Sequence, residues 1–187
     1  MIDDAEADGR EVFAPGRELP PELWDQIDTL PREIERLSSV KHLLLYGSAM
    51  TAVPPQIGSM VALESFEPYT SYGLHWFPYE ITRCRNLKNS TVSTRAIYGN
   101  PKNRMWFPQL PAELPPHLVA DNCSVCGSAF EDRPIQRWIS LRVATDVLPL
   151  LVQACCESCL SDLPRPPSGY VPQAHQGGPK VEQPPPR

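Results

Sequence analysis

"LPREIERLSSVKHLLLYGSAMTAVPPQIGSMVALESF", residues 30–66, repeats itself. Leu30-Pro31 returns as Val53-Pro54, Ile34 as Ile57, Leu37 as Met60, Val40 as Leu63 and Leu43 as Phe66, each at a shift of 23 residues. A further shift of 24 carries Val53-Pro54 to Phe77-Pro78, Ile57 to Ile81, Met60 to Cys84 and Leu63 to Leu87. A unit of this length cannot bury its own apolar face. Such units must stack, and about three are needed for a stable array.

The pattern resembles the leucine-rich repeat family, in the subtype L-P-x-x-I-x-x-L-x-x-L-x-x-L-x-L, over roughly residues 19–110. Two departures stand out. Ser48 falls where the family places an asparagine that bonds the backbone of neighbouring turns, and Pro68 falls at the strand position of Leu45. The third unit loses the pattern after Val92. The expected fold is an α/β-type short leucine-rich repeat solenoid, with one strand and a looser return arm per unit. Leu23, Trp24, Ile27 and Leu30 lie at helical spacing behind Pro20-Pro21, which predicts an N-terminal capping helix over residues 19–30.

Side chains alternate faces along a strand. With Leu43 and Leu45 inward, His42, Leu44 and Tyr46 face outward, followed by Ser65, Glu67 and Tyr69, then Asn89, Thr91 and Ser93. The family resemblance makes this the concave, partner-binding face, and its tyrosines suit a protein partner, because aromatics dominate interface hot spots. The aromatic run "PYTSYGLHWFPYE", residues 68–80, lies beside it. Residues 93–111 read as an extended loop leaving the array.

The second half carries different chemistry. "CSVCG" supplies Cys123 and Cys126, and "ACCESCL" supplies Cys155, Cys156 and Cys159. Cys123/Cys126 and Cys156/Cys159 are both C-x2-C pairs, the spacing at which two sulfurs reach one ion, so these four are the expected ligands of a structural Zn2+ site. Gly127 allows a positive-φ turn after the first pair. Cys155 comes one residue early for the second pair; it is expected to point away from the metal, with substitution as ligand the alternative. "IQRWISLRV" (135–143) and "LPLLVQACC" (148–156) read as a hairpin between the pairs, and "LSDL" as a short helix after them. Knuckle, hairpin and helix over residues 121–163 resemble the treble-clef group of zinc modules, with a zinc ribbon the close alternative. Iron also binds four thiolates, but zinc is the default with no redox partner in view. Such a module could close the open end of a short array. Cys84, at the position of Met60, is expected to be a buried thiol.

The chain therefore divides into a flexible acidic N-terminus (1–18), the repeat domain (19–115), the zinc module (116–163) and a disordered tail (164–187) holding eight of the 23 prolines. "EQPPPR" at its end could bind a polyproline reader. The net charge of −5 has no basic segment behind it, which argues against nucleic acid as partner. A nucleic-acid-binding zinc module scaffolded by the repeats is the second reading, and a redox or metal sensor using Cys155 the third. No secretory signal or membrane-spanning run is present, so a cytoplasmic location is expected. The four histidines form no metalloprotease motif, and no nucleophile elbow, P-loop or dinucleotide fingerprint occurs, so no catalytic activity is expected.

Overall fold

The computed structural model describes residues 1–103 and 105–185; Arg104 and the tail residues Pro186 and Arg187 lie outside it, and with them the end of "EQPPPR". Each repeat opens on a proline. Pro31, Pro54 and Pro78, at φ −72°, −73° and −69°, precede five-residue 3-10 turns at Arg32–Arg36, Pro55–Ser59 and Tyr79–Arg83. The ring fixes φ near the value that the start of a tight turn requires. Ile34, Ile57 and Ile81 point inward from these turns and are fully buried. The N–H groups of Leu37, Met60 and Cys84 close each turn on those isoleucine carbonyls at 3.0, 3.1 and 3.2 Å.

The strands follow at the same period. β1 (Val12–Phe13), β2 (His42–Leu44), β3 (Ser65–Glu67) and β5 (Asn89–Ser90) form one sheet in the order β1-β2-β3-β5. All pairs are parallel, and His42 registers with Ser65 and Ser65 with Asn89. The sequence shifts of 23 and 24 residues thus become ladder register. Between turns, the hydroxyl of Ser71 donates to the Leu45 carbonyl at 2.8 Å, and the Ser48 N–H donates to Ser71 Oγ at 3.1 Å. The Thr70 N–H donates to Ser93 Oγ at 2.8 Å. Serine hydroxyls therefore bond the backbone of the neighbouring turns.

The N-terminal end of this sheet differs from expectation. Residues 1–18 are ordered: α1 (Ile2–Asp8) buries Ala5, and β1 adds an edge strand that buries Phe13. Their acids are paired, Asp3 and Glu6 with Arg36, Glu11 with Lys41 and Asp8 with Arg10. The helix expected over residues 19–30 shrinks to the single turn α3 (Pro21–Trp24), and a second turn, α2 (Pro15–Glu18), lies ahead of that range. Trp24 is buried and its indole N–H donates to the Tyr46 carbonyl at 3.2 Å, whereas Leu23 is exposed and Thr29 bridges Ala52 as extended chain. Strand-like pairing wins over helical spacing there.

At the other end, β6 (Ile135–Val143) and β7 (Asp146–Ala154) form a hairpin registered from Ile135↔Ala154 to Val143↔Asp146. β7 also pairs in parallel with β4 (Phe77–Pro78), through Phe77↔Leu150 and Pro78↔Leu151. The hairpin tip closes the last strand of the sheet. Ser90 takes the ladder position of Leu43 and Phe66; its hydroxyl donates to the Val143 carbonyl at 2.9 Å, and Thr145 Oγ1 donates to the Ser90 carbonyl at 2.8 Å. One apolar cluster runs from Phe13 and Leu43 through Phe77 to Leu150, Val152 and Cys159. The boundary at 115/116 therefore separates sequence motifs and not cores.

The tail is also ordered as far as it is described. Phe107, Trp138, Leu151 and Val171 form a second cluster, flanked by Trp76 and Tyr98. His175 bridges Trp138 on the free side of β6 and sets its ring 4.6 Å, edge to face, from Phe107. Gly177, at φ 75°, fits where a Cβ would lie 1.9 Å from the Pro108 carbonyl oxygen. Proline content suggested disorder, but aromatic contacts and one backbone bridge hold the segment.

Two outcomes follow from these contacts. Ser71→Ala leaves the buried Ser48 N–H without its acceptor, so urea denaturation should read a loss of about 1–3 kcal/mol. Burial lowers the His175 pKa to about 4, with Nδ1 accepting the Gly177 N–H and Nε2 enclosed. The unfolded chain takes up that proton near pH 6.5 and the folded chain only near 4. Stability should therefore fall as pH drops from about 6.5 towards 4, and His175→Gln should flatten that part of the melting-temperature profile.

Candidate metal centre and binding face

The first knuckle is built by backbone. Asn122 and Ala129 form an antiparallel bridge, the Cys123 N–H donates to the Ser128 carbonyl at 2.8 Å, and the Gly127 N–H returns to the Cys123 carbonyl at 3.0 Å. Gly127 adopts φ 76°, the positive value expected of it. The second half of the site sits where β7 ends. The Cys155 N–H donates to Cys123 Sγ at 3.3 Å, which seats the strand end on the knuckle. Cys156 is the extended N-cap of α4 (Glu157–Ser161), and Cys159 lies inside that helix.

The sulfurs of Cys123, Cys126, Cys155 and Cys159 all lie within 4.8 Å of one another. Cys126–Cys155 and Cys155–Cys159 are each 3.6 Å apart. Four sulfurs at the usual zinc–thiolate length of about 2.3 Å would be separated by about 3.8 Å at the corners of a tetrahedron. The donor set and its spacing fit a four-coordinate thiolate centre, whose ligand positions would all be filled by protein. This set differs from the expected one in one member. Cys155 does not point away; it is inside the group, because its strand end is tied to the first knuckle. Cys156 stands at the margin, exposed, with its Sγ 3.6 Å from Cys159 and 3.8 Å from Cys155.

The protons within the group are unevenly held. The Ser128 hydroxyl and N–H lower the Cys126 thiol to about 6. Burial opposes ionisation of Cys123, but the N–H groups of Cys126, Cys155 and Val125 outweigh it and lower its pKa. The Cys126 sulfur beside Cys155 raises that thiol to about 12, and burial followed by the neighbouring sulfurs raises Cys159. Ionisation is thus favoured at Cys126 and Cys123 and opposed at Cys155 and Cys159, and a bound divalent cation would displace the thiol protons. Cys84 takes no part: it is buried away from the group, its thiol donates to the Ile57 carbonyl at 3.2 Å, and burial pushes it up to about 12.

Polar side chains fasten this centre to the return arms of the repeats. Arg83 donates to the carbonyls of Cys123 and Ser124 at 3.2 and 3.1 Å. The Ser124 hydroxyl donates to the buried Glu80 at 2.7 Å, and Gln56 and Arg32 both bond Asp121. Burial pushes the Glu80 carboxyl above the usual range. No sequence signal marked these residues, since each looks like an ordinary return-arm polar residue.

The outward sheet face has a mixed character. Tyr46 and Tyr69 are 43% and 49% exposed, and their rings meet edge to face at 6.5 Å. Glu67 accepts the Ser65 hydroxyl and the Tyr46 hydroxyl, which together hold its carboxyl below the usual range. His42 and Leu44 are half-buried, and Asn89 and Thr91 are exposed. Ser65 is buried at 4% exposure, so it positions Glu67 and does not itself reach outward. Ser93 is also buried. Tyr69 and Tyr72 line a cavity of about 270 Å³ at the end of this face, with Val92, Ser93, Thr94 and Arg95.

Neither protein-family models nor curated sequences give a match to this chain. Among solved structures, a leucine-rich repeat protein of Leptospira interrogans is similar at 21% identity and a TM-score of 0.33, over 41% of this chain and 20% of that one. The match is too slight to bear on family or partner. Among the described residues, no helix is long and apolar enough to cross a membrane.

The metal reading has a direct outcome. The chain should carry one zinc per molecule by elemental analysis, and its cobalt form should show thiolate-to-metal charge-transfer bands. Cys126→Ser should remove most of the metal. Because the hairpin leaving this centre caps Ser90, chelation should also speed amide exchange in β5; unchanged exchange would exclude a role for the metal in closing the array.

Proposed function

We propose that this chain is a non-catalytic interaction scaffold: a short leucine-rich repeat solenoid that binds a protein partner on its outward sheet face, closed by a hairpin whose base is held by structural zinc. One observation carries the reading, the exposed Tyr46–Tyr69 pair with Glu67 held between the strands in a fixed position. Large rings already ordered by their neighbours lose little entropy on binding, and truncating such anchors commonly costs about 2 kcal/mol or more. Asn89 and Thr91 extend the face towards the tyrosine-lined cavity, while His42 and Leu44 form its half-buried floor. The zinc centre supports this role indirectly, since four protein thiolates leave no position for a reactive water.

Partner capture tests the face. Removing the chain from Cys123 onward would strip β7 from β4 and open the core, so point variants are the informative baits. The intact chain is compared with a variant carrying Tyr46→Ala, Glu67→Ala and Tyr69→Ala, and with a control carrying Glu131→Ala and Asp132→Ala in the loop ahead of β6. A partner bound by the intact chain and the control, and weakened at least tenfold by the triple change, supports the reading. A partner indifferent to the triple change but lost with the control moves binding to the cysteine module.

A further inference from the structure

Five thiols meet at a centre that has use for four. Cys123, Cys126, Cys155 and Cys159 form the compact group, and each is tied into it by burial or by neighbouring sulfurs. Cys156 is exposed, lies outside that group and is the residue at which the chain turns into α4. Its sulfur nevertheless stays 3.6 Å from Cys159 Sγ, across the C-x-x-C spacing of dithiol oxidoreductases. The chain itself holds it there, since Cys156 adjoins Cys155 and begins the helix that carries Cys159.

We propose that Cys156 is an oxidation site for hydroperoxides and that Cys159 is its resolving partner, so that oxidation withdraws one ligand from the metal centre. The proposal rests on the zinc reading above. In the first step the Cys156 thiolate attacks the peroxide O–O bond, giving a sulfenic acid on Cys156 and releasing the alkoxide or hydroxide. In the second, the Cys159 thiolate attacks the sulfenic sulfur, forming the Cys156–Cys159 disulfide and releasing hydroxide, and Cys159 would then no longer be available to hold a metal ion. The two sulfurs give up one electron each, and the peroxide accepts both. The sulfurs must close from 3.6 Å to about 2.0 Å, a movement within one turn of a five-residue helix at the module surface. Three thiolates remain, and a three-thiolate centre loses its zinc to a competing chelator. Cys155, at 3.8 Å, is the competing resolving thiol, but it is tied to the first knuckle through its own N–H.

The experiment uses the full zinc-loaded chain, treated with hydrogen peroxide in the presence of a chromogenic zinc chelator, followed by peptide mapping. Zinc release should accompany a Cys156–Cys159 disulfide, with Cys84 still reduced. Cys156→Ser should keep one zinc per chain and release it at least tenfold more slowly under peroxide. Three results would overturn the proposal: equal release rates for the two chains, a disulfide that omits Cys156, or a Cys156→Ser chain that binds no zinc, which would make Cys156 a ligand. A wild-type chain that holds neither zinc nor cobalt under reducing conditions overturns the metal reading and the release step together. The mapped disulfide then decides the thiol chemistry alone.

Discussion

A parallel strand array leaves an open edge at each end, and closing those edges is the constraint on which this structure depends. Unpaired edge groups invite association with other chains. Here the N-terminal edge ends in β1, a strand of only two residues behind an acidic helix, which leaves little edge to pair. The C-terminal edge is closed by the hairpin tip, where Ser90 and Thr145 exchange hydrogen bonds. The same hairpin pairs with β4 in its middle and meets the cysteine knuckle at its base. One element thus touches the sheet side, the centre and the return-arm side of the third repeat. A disturbance at its base has a short physical route to the last strand.

The repeat interior was legible because it obeys one rule. The apolar positions that recur at 23 and 24 residues are buried, apart from the half-buried Leu87, and Cys84 is buried where Met60 predicts. The ends were not legible, because their signals compete. Residues 1–18 carry acids that look like a solvated tail, yet several are partners of Arg36 and Lys41, which lie 30 or so positions away in sequence. The tail's prolines mask Val171, His175 and Gly177, each of which fits a specific partner around Trp138 and Pro108. Composition measures average burial; these segments are held by a few long-range contacts.

Within the cysteine group, spacing and geometry disagree in an instructive way. C-x2-C counting pairs Cys156 with Cys159 and sets Cys155 aside. Spacing rules treat the second pair as an isolated knuckle, however, and here it grows out of a strand. β7 delivers Ala154 fully buried against the core, and the next N–H, that of Cys155, is claimed by Cys123 Sγ. That bond rotates Cys155 into the group. Cys156 then has to begin the helix with an extended backbone, φ −156° and ψ 167°, and its side chain is left at the rim.

This arrangement makes the cysteine group both anchored and exposed. A four-thiolate site buried on every side would contribute stability and nothing else. Here Cys126 and Cys156 both reach solvent, while Cys123 and Cys159 are buried. The buried pair anchors the centre to Arg83, Ser124 and the core, and the exposed pair determines what can reach it. Opening the centre would loosen the hairpin at its base first, and the contacts at Glu80, Arg83 and Ser124 would be the next to feel it. Those contacts belong to the third repeat, whose strand ends at Ser90. The tyrosine face lies one and two strands further on, at Glu67 and Tyr46, and a change at the sulfurs can reach it by unseating β5 from β3 or through Asp121, which Gln56 and Arg32 tie to the first two repeats.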